Sequence, residues 1–162
     1  MEIDLISKKE FMLFFQKLYK QKDSFYTKQQ FDKLKTYKIL LFDCFLWKYQ
    51  DLYFNLFVSF LNYNISGEEF SKQLITMRSN HIVKFHKLMS QSEINSEFLN
   101  KFNLDLNAFG FSDIIDSVDQ YCDSFVSDEL LLEIGGSRED EEIDENQLHE
   151  SIEEILKDMN LL

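Results

Sequence analysis

The sequence contains no proline, only four glycines and two cysteines among its 162 residues. β-Sandwiches and barrels need many tight turns, which glycine and proline normally supply, so the scarcity of both argues against those folds. Helices joined by short polar segments need few such residues. The composition therefore predicts an all-α protein, an antiparallel helical bundle of about five to seven helices.

Residues suited to catalysis are equally scarce. Cys44 and Cys122 belong to no metal-binding or redox motif, and they are predicted to be buried, reduced thiols. His81 and His86 are five residues apart, which places them on different sides of a helix. His149 lacks the second histidine of a zinc-protease helix. We therefore interpret the histidines as surface residues and predict a protein that is not an enzyme and has no cofactor.

One acidic stretch has part of the spacing of a calcium-binding loop, because Asp140, Glu142 and Asp144 alternate. Glu145 stands where that loop requires glycine, and Ser151 stands where it requires a bidentate glutamate. The sequence therefore predicts no specific metal site.

No segment is predicted to enter a membrane. Residues 39–61 are the most apolar stretch, but Asp43, Lys48 and Asp51 lie near its centre. Each of these charges would cost about 2.5–3.5 kcal/mol on membrane insertion, so a buried pair of helices is the better interpretation. Met1 is followed at once by Glu2 rather than by the basic region of a signal peptide, which favours a cytoplasmic protein.

Capping boxes mark the predicted helix starts, since a capping side chain is followed three residues later by Glu or Gln. These pairs are Ser7–Glu10, Thr27–Gln30, Ser66–Glu69 and Asp144–Gln147. Apolar residues at helical spacing then predict helices that end near Trp47 and Leu61 and, after Ser66, near residue 90. Residues 92–102 and 106–122 are predicted as two more helices before the final one.

The chain is predicted to divide at residue 50. Residues 1–50 form an N-terminal helical extension packed on the bundle, and residues 51–162 form the bundle itself. Residues 123–143 contain Gly135-Gly136 and a run of four acidic residues, which predicts a mobile acidic loop.

The formal net charge of −12 is distributed unevenly. Residues 1–90 have 14 basic and 9 acidic side chains, giving +5, whereas residues 91–162 have 3 basic and 20 acidic ones, giving −17. Phosphates would be repelled by the second half, so the predicted partner is a basic protein and not a nucleic acid.

A candidate contact surface lies on the predicted helix 106–122 and just beyond it. Asp116, Asp119 and Asp123 are three or four residues apart and share one helix face, with no basic residue among them. A solvated helix face is the ordinary interpretation. The additional acidic residues nearby favour an interface for a lysine- and arginine-rich surface. The partner-binding residues predicted from this charge pattern are Asp113, Asp116, Asp119, Asp123, Asp128 and Glu129.

Three stretches between Tyr53 and Leu162 resemble the colicin D-type immunity proteins, a self-protective bacterial family. Residues 65–71 (ISGEEFS) resemble the start of the family's second helix, and residues 142–148 (EIDENQL) resemble its closing segment. Residues 111–121 are similar to its acidic, aromatic helix. The first 50 residues have no counterpart in the compact members, and the 123–143 segment is longer.

The resemblance implies a non-enzymatic helical bundle that binds the basic nuclease domain of a cognate bacteriocin or contact-dependent toxin, a tRNA-cleaving ribonuclease in the colicin D case. Acidic side chains would there replace the phosphates of the substrate and block the active site. By position in the segment, the resemblance implies partner contacts at Asp113, Asp116, Asp119, Tyr121 and Asp123. The alternative is a structural or assembly subunit that docks into a larger complex through its aromatic N-terminal helices, which include Phe14, Phe15 and Tyr19.

Overall fold

Six α-helices and one 3-10 turn make up the computed structural model, which describes residues 27–90 and 106–158. Over these ranges there is no strand, and the all-α helical bundle predicted from composition is confirmed. The predicted helices at residues 7–22 and 92–102 lie outside the described residues. The α-helices are α1 (Lys28–Trp47), α2 (Gln50–Leu61), α3 (Gly67–Met89), α4 (Phe111–Ser124), α5 (Asp128–Ile134) and α6 (Glu145–Asp158).

Two of the predicted capping boxes are present with both of their hydrogen bonds. At the start of α3, the Ser66 hydroxyl accepts from the Glu69 backbone N–H and the Glu69 carboxylate accepts from the Ser66 N–H. Asp144 and Gln147 make the same reciprocal pair at the start of α6. These bonds satisfy N–H groups that the helix itself leaves without a partner, which fixes where each helix begins.

The helix predicted for residues 106–122 begins later than expected. Leu106–Ala108 form a 3-10 turn, and Gly110 takes a left-handed conformation with φ 81° before α4 begins at Phe111. A left-handed residue cannot continue a right-handed helix, so the glycine separates the two elements.

The start of α4 is capped by a side chain from α1. The buried carboxylate of Asp43 accepts hydrogen bonds from the backbone N–H of Gly110 at 3.1 Å and that of Ser112 at 2.9 Å, and from the Ser112 hydroxyl. Asp43 therefore serves as the N-terminal cap that α4 lacks in its own sequence.

Aromatic rings fill the core, and α1 contributes to it on equal terms with the later helices. Leu41, Phe45 and Leu46 of α1 belong to the same buried cluster as side chains of α2, α3, α4 and α6. The boundary predicted at residue 50 therefore does not separate two cores within the described residues. The largest fully buried side chains are Tyr53, Phe57, Phe60, Phe70 and Phe111.

The segment predicted as one loop, residues 123–143, is partly helical, which corrects that prediction. The chain continues in α4 to Ser124 and then forms α5. Ser127 caps α5 by accepting from the Leu130 N–H, and left-handed Gly135 ends it at φ 66°. These are standard start and stop signals, but α5 is too short for apolar periodicity to reveal it.

Both cysteines are buried and neither forms a disulfide, as predicted. Burial raises the pKa of the Cys122 thiol to about 12, so this thiol stays protonated at neutral pH. None of the helices in the described ranges combines the length and apolarity needed to cross a bilayer.

Candidate functional site: an acidic surface

Helix α4 presents two different acidic regions. Its buried side carries Ile114, Ile115 and Val118 and faces the core. Asp113 and Asp123 are exposed on the solvent side, whereas Asp116 and Asp119 are only partly exposed, on the flank that faces α3. The predicted face is therefore divided by its packing against α3.

Arg78 of α3 neutralises the part of this face that lies against it. Its Nη2 lies 2.9 Å from Asp116 Oδ1, its Nη1 lies 2.8 Å from Asp119 Oδ2, and its Nε also donates to Asp116. No basic residue lies among these aspartates in the sequence, but the fold brings Arg78 against them from a distant position in the chain.

The Asp119 carboxyl has a raised pKa. Burial is the largest cause, and the Asp123 and Asp116 carboxylates add to it, while the Arg78 guanidinium acts in the opposite direction. Asp116 and Asp119 therefore belong to an internal ion-pair cluster, and they are less available to a partner than their sequence spacing suggested.

The exposed members of the predicted set lie on two helices. Asp113 and Asp123 on α4, together with exposed Tyr121, face solvent, and over the described ranges no base pairs with either carboxylate. Asp128 and Glu129 lie in the first turn of α5, where the helix dipole favours negative charge. Arg138 pairs with Asp128, whereas Glu129 pairs with no base among residues 27–90 and 106–158.

Helix α5 is held at its base by backbone and side-chain contacts. Phe125 and Ile143 form an isolated parallel bridge, in which the Val126 N–H donates to Ile143 O at 3.0 Å and the Ile143 N–H donates to Ser124 O at 2.9 Å. Arg138 donates to Val126 O within the segment between these two bridge residues. The excursion from residue 126 to residue 142 is thus closed at its base like an Ω-loop.

Helix α5 is unusual in its exposed aliphatic residues, which were not predicted as part of the site. It has four aliphatic residues out of seven, yet none is buried. Leu130 is 46% exposed, Ile134 66% and Leu132 83%. Leu132 therefore does not anchor the segment to the core. The available signal was the run Leu130-Leu131-Leu132 between acidic residues, with Ser127 and Gly135 at its ends.

His81 is buried, which corrects its interpretation as a surface residue. Its Nδ1 lies 2.9 Å from the Tyr53 hydroxyl, and the Tyr49 ring stacks on it at 4.0 Å. His81 lies seven residues after Leu74 and four before Phe85, on the same face of α3. This spacing was a signal in the sequence that His81 is buried. His86 is exposed, as predicted.

The Tyr53–His81 pair is structural. Burial lowers the pKa of His81, and the Lys84 ammonium lowers it further, while burial raises the pKa of Tyr53. Both groups are therefore neutral at pH 7, beside an open groove of about 710 Å³ between α2 and α3. Within the described ranges, no three His, Cys, Asp or Glu side chains converge closely enough to hold a metal ion.

The chain matches no protein-family model, no curated protein sequence and no solved structure. The resemblance to colicin D-type immunity proteins therefore stays a prediction made on short motifs of the sequence.

Proposed function

We propose that the chain is a cytoplasmic, non-enzymatic inhibitor that binds a basic protein, and that this partner is the nuclease domain of a toxin to which it confers immunity. The proposal rests chiefly on one observation: the second half of the bundle exposes carboxylates that have no cation of their own. Asp113, Asp123 and Glu129 are the clearest examples, since each is exposed and unpaired among the described residues.

The charge of the described residues supports a basic partner. Residues 106–158 have 17 acidic and 2 basic side chains, whereas residues 27–90 have 9 basic and 5 acidic ones. A nuclease active site has to attract the phosphates of its substrate, so it presents the complementary charge. Carboxylates placed over such a site would pair with the bases that otherwise bind the nucleic acid.

The immunity function itself is supported by the resemblance of residues 65–71 and 142–148. These two segments are the starts of α3 and α6, and they are in contact, since the Gly67 N–H donates to Glu145 Oε1 at 2.9 Å. The acidic helix of the resemblance, residues 111–121, corresponds to most of α4.

The test is co-expression of the whole chain with a toxin nuclease domain that is encoded next to it. We expect growth to be rescued, a complex to form on a sizing column, and association to slow as salt is added, because charged interfaces act mainly on the encounter rate. A chain that neither rescues growth nor co-elutes with that domain would refute the proposal for this pair.

The assembly-subunit alternative stays a prediction, because Phe14, Phe15 and Tyr19 lie outside the described residues. Within residues 39–60, the exposed large apolar side chains are Ile39, Leu52 and Val58. Leu52 and Val58 are six residues apart on α2 and do not share a helix face, so they give the alternative no continuous patch.

A further inference from the structure

A groove of about 390 Å³ runs between α3 and α5, and its lining combines apolar and acidic side chains. Much of its apolar surface comes from Ile75 of α3, from Phe125 just after the end of α4, and from Leu130 of α5. Ile75 is 40% exposed and Leu130 46%, so much of this surface is open to solvent. Water is therefore in contact with apolar area that a partner could cover.

The charged side chains of the groove are mostly acidic. Glu68 comes from α3, and Glu129 and Glu133 come from α5, four residues apart on one face. All three are exposed, and none pairs with a base over the described ranges. Lys72 is the cation that lines the groove beside them. The formal balance is two negative charges, which favours a cationic occupant.

The groove also contains a buried hydroxyl with an incomplete hydrogen bond. Ser71 Oγ is buried and makes no hydrogen bond of full geometry, although its interaction with the Cys122 thiol lowers the pKa of that thiol against the larger effect of burial. Sulfur is a weak hydrogen-bond partner, so the hydrogen bonding of this hydroxyl is incomplete.

We propose that this groove is the seat of a basic amphipathic segment of the partner protein. Its apolar side chains would cover Ile75, Phe125 and Leu130, and its lysine or arginine side chains would pair with Glu68, Glu129 and Glu133. Charge complementarity selects this occupant, because an anionic membrane surface or a nucleic acid would meet three unpaired carboxylates. The inference rests on the proposed function only in taking the partner to be a basic protein.

The shape of the segment around α5 suits such a role. The bridge between Phe125 and Ile143 and the contacts of Arg138 fix the base of the excursion, so α5 forms a defined wall of the groove. A preformed wall lowers the conformational entropy lost on binding. The exposure of Leu130 is thus explained, because this residue of α5 lines the groove and would contact the occupant.

The experiment uses the full chain and, as probe, a short amphipathic helical peptide of lysine and leucine, with affinity measured by calorimetry. Glu129→Gln with Glu133→Gln should weaken binding about fivefold, since two charge pairs are lost. The matched control is Glu150→Gln with Glu154→Gln, an exposed pair of the same spacing on α6, which should change affinity less than about twofold.

The apolar contact has its own matched pair. Leu130→Ser should weaken binding about fivefold, whereas Leu132→Ser, on the same helix but outside the groove lining, should have little effect. A lysine–serine peptide of equal charge should bind more weakly than the lysine–leucine probe. Circular dichroism of each variant verifies that the helices are retained.

Equal losses of affinity for the two glutamate pairs, or for the two leucine variants, would overturn the proposal. Binding would then depend on net charge or on overall surface hydrophobicity and not on the groove. A chain that dimerises in sedimentation and is dispersed by Leu130→Ser would also overturn it, since the occupant would be a second copy. If the toxin domain is neutralised equally by groove and control variants, the groove fails while the immunity proposal stands. If the peptide binds as expected but no toxin is neutralised, the groove proposal stands and the immunity proposal fails.

Discussion

Arg78 Nη1 lies 2.8 Å from Asp119 Oδ2, across the contact between α3 and α4. The same guanidinium reaches Asp116, so one base neutralises two members of an aspartate series. A row of aspartates that appears uniform in the sequence is therefore divided into an internal cluster and an outer part that is available to a partner.

Replacing Arg78 with methionine should destabilise the fold by about 1–3 kcal/mol at pH 7, because it leaves the partly buried Asp119 without its base. Arg78 is the group that lowers the pKa of Asp119, so in the variant this pKa rises further. A carboxyl with a raised folded-state pKa loses stability as pH rises through it, so the cost should be smaller at pH 4. Urea unfolding at both pH values measures this.

The double variant Arg78→Met with Asp119→Asn serves as the control. Removing the uncompensated carboxylate should recover part of the lost stability and reduce the pH dependence. Additive losses from the two substitutions would show that the pair is not coupled.

Stability should fall as pH drops below 6.5, the unperturbed pKa of histidine, because burial lowers the pKa of His81 in the folded state. In this pH range His81 is protonated more readily in the unfolded chain than in the folded chain, which shifts the equilibrium toward unfolding. His81→Gln should flatten this part of the profile. His86→Gln, at an exposed position of the same helix, should leave it unchanged. An unaltered profile in the His81 variant would assign the effect to other groups.

Gly67→Ala should destabilise the base of the α5 excursion by about 1–3 kcal/mol through overpacking. A Cβ at position 67 would lie 2.8 Å from Cζ of Phe125, so the ring would have to move. Thermal unfolding measures the loss, and Phe125→Leu in the same chain should restore part of it. Gly136→Ala is the control, since its nearest neighbour is the exposed Ile134 side chain at 3.3 Å.

Asp113→Lys with Asp123→Lys should slow association with the basic nuclease domain by about tenfold at low salt, because both carboxylates are exposed and unpaired. Stopped-flow kinetics over a range of salt concentrations measures this change. The pair Asp116 and Asp119 is unsuitable for the test, since reversing their charge places lysine against Arg78. A rate that does not change would locate the contact away from α4.

Local signals in the sequence predicted the parts of the fold that depend on neighbouring residues. The capping boxes at Ser66 and Asp144 involve residues three positions apart, so both could be predicted and both are present. The end of α1 at Trp47 and the polar connection after Leu61 are local features of the same kind.

Features that depend on distant residues could not be predicted in this way. Arg78 and Asp116 are 38 positions apart, and only the packing of α3 against α4 brings them together. Histidine is a polar residue type, so the burial of His81 follows only from its place on the apolar face of α3. The acidic composition of the site was predictable, but its division between two helices and its apolar component were not.

The hydrogen bonds from Gly110 and Ser112 to Asp43 span 67 and 69 positions, which has a consequence for how the chain folds during synthesis. Asp43 leaves the ribosome well before the residues it caps, so its carboxylate stays hydrated until the start of α4 emerges. Helix α1 therefore cannot complete its packing as an early folding unit. The order of translation and the order of consolidation differ in this protein, and the bundle is expected to close in one late step that joins its first described helix to its fourth.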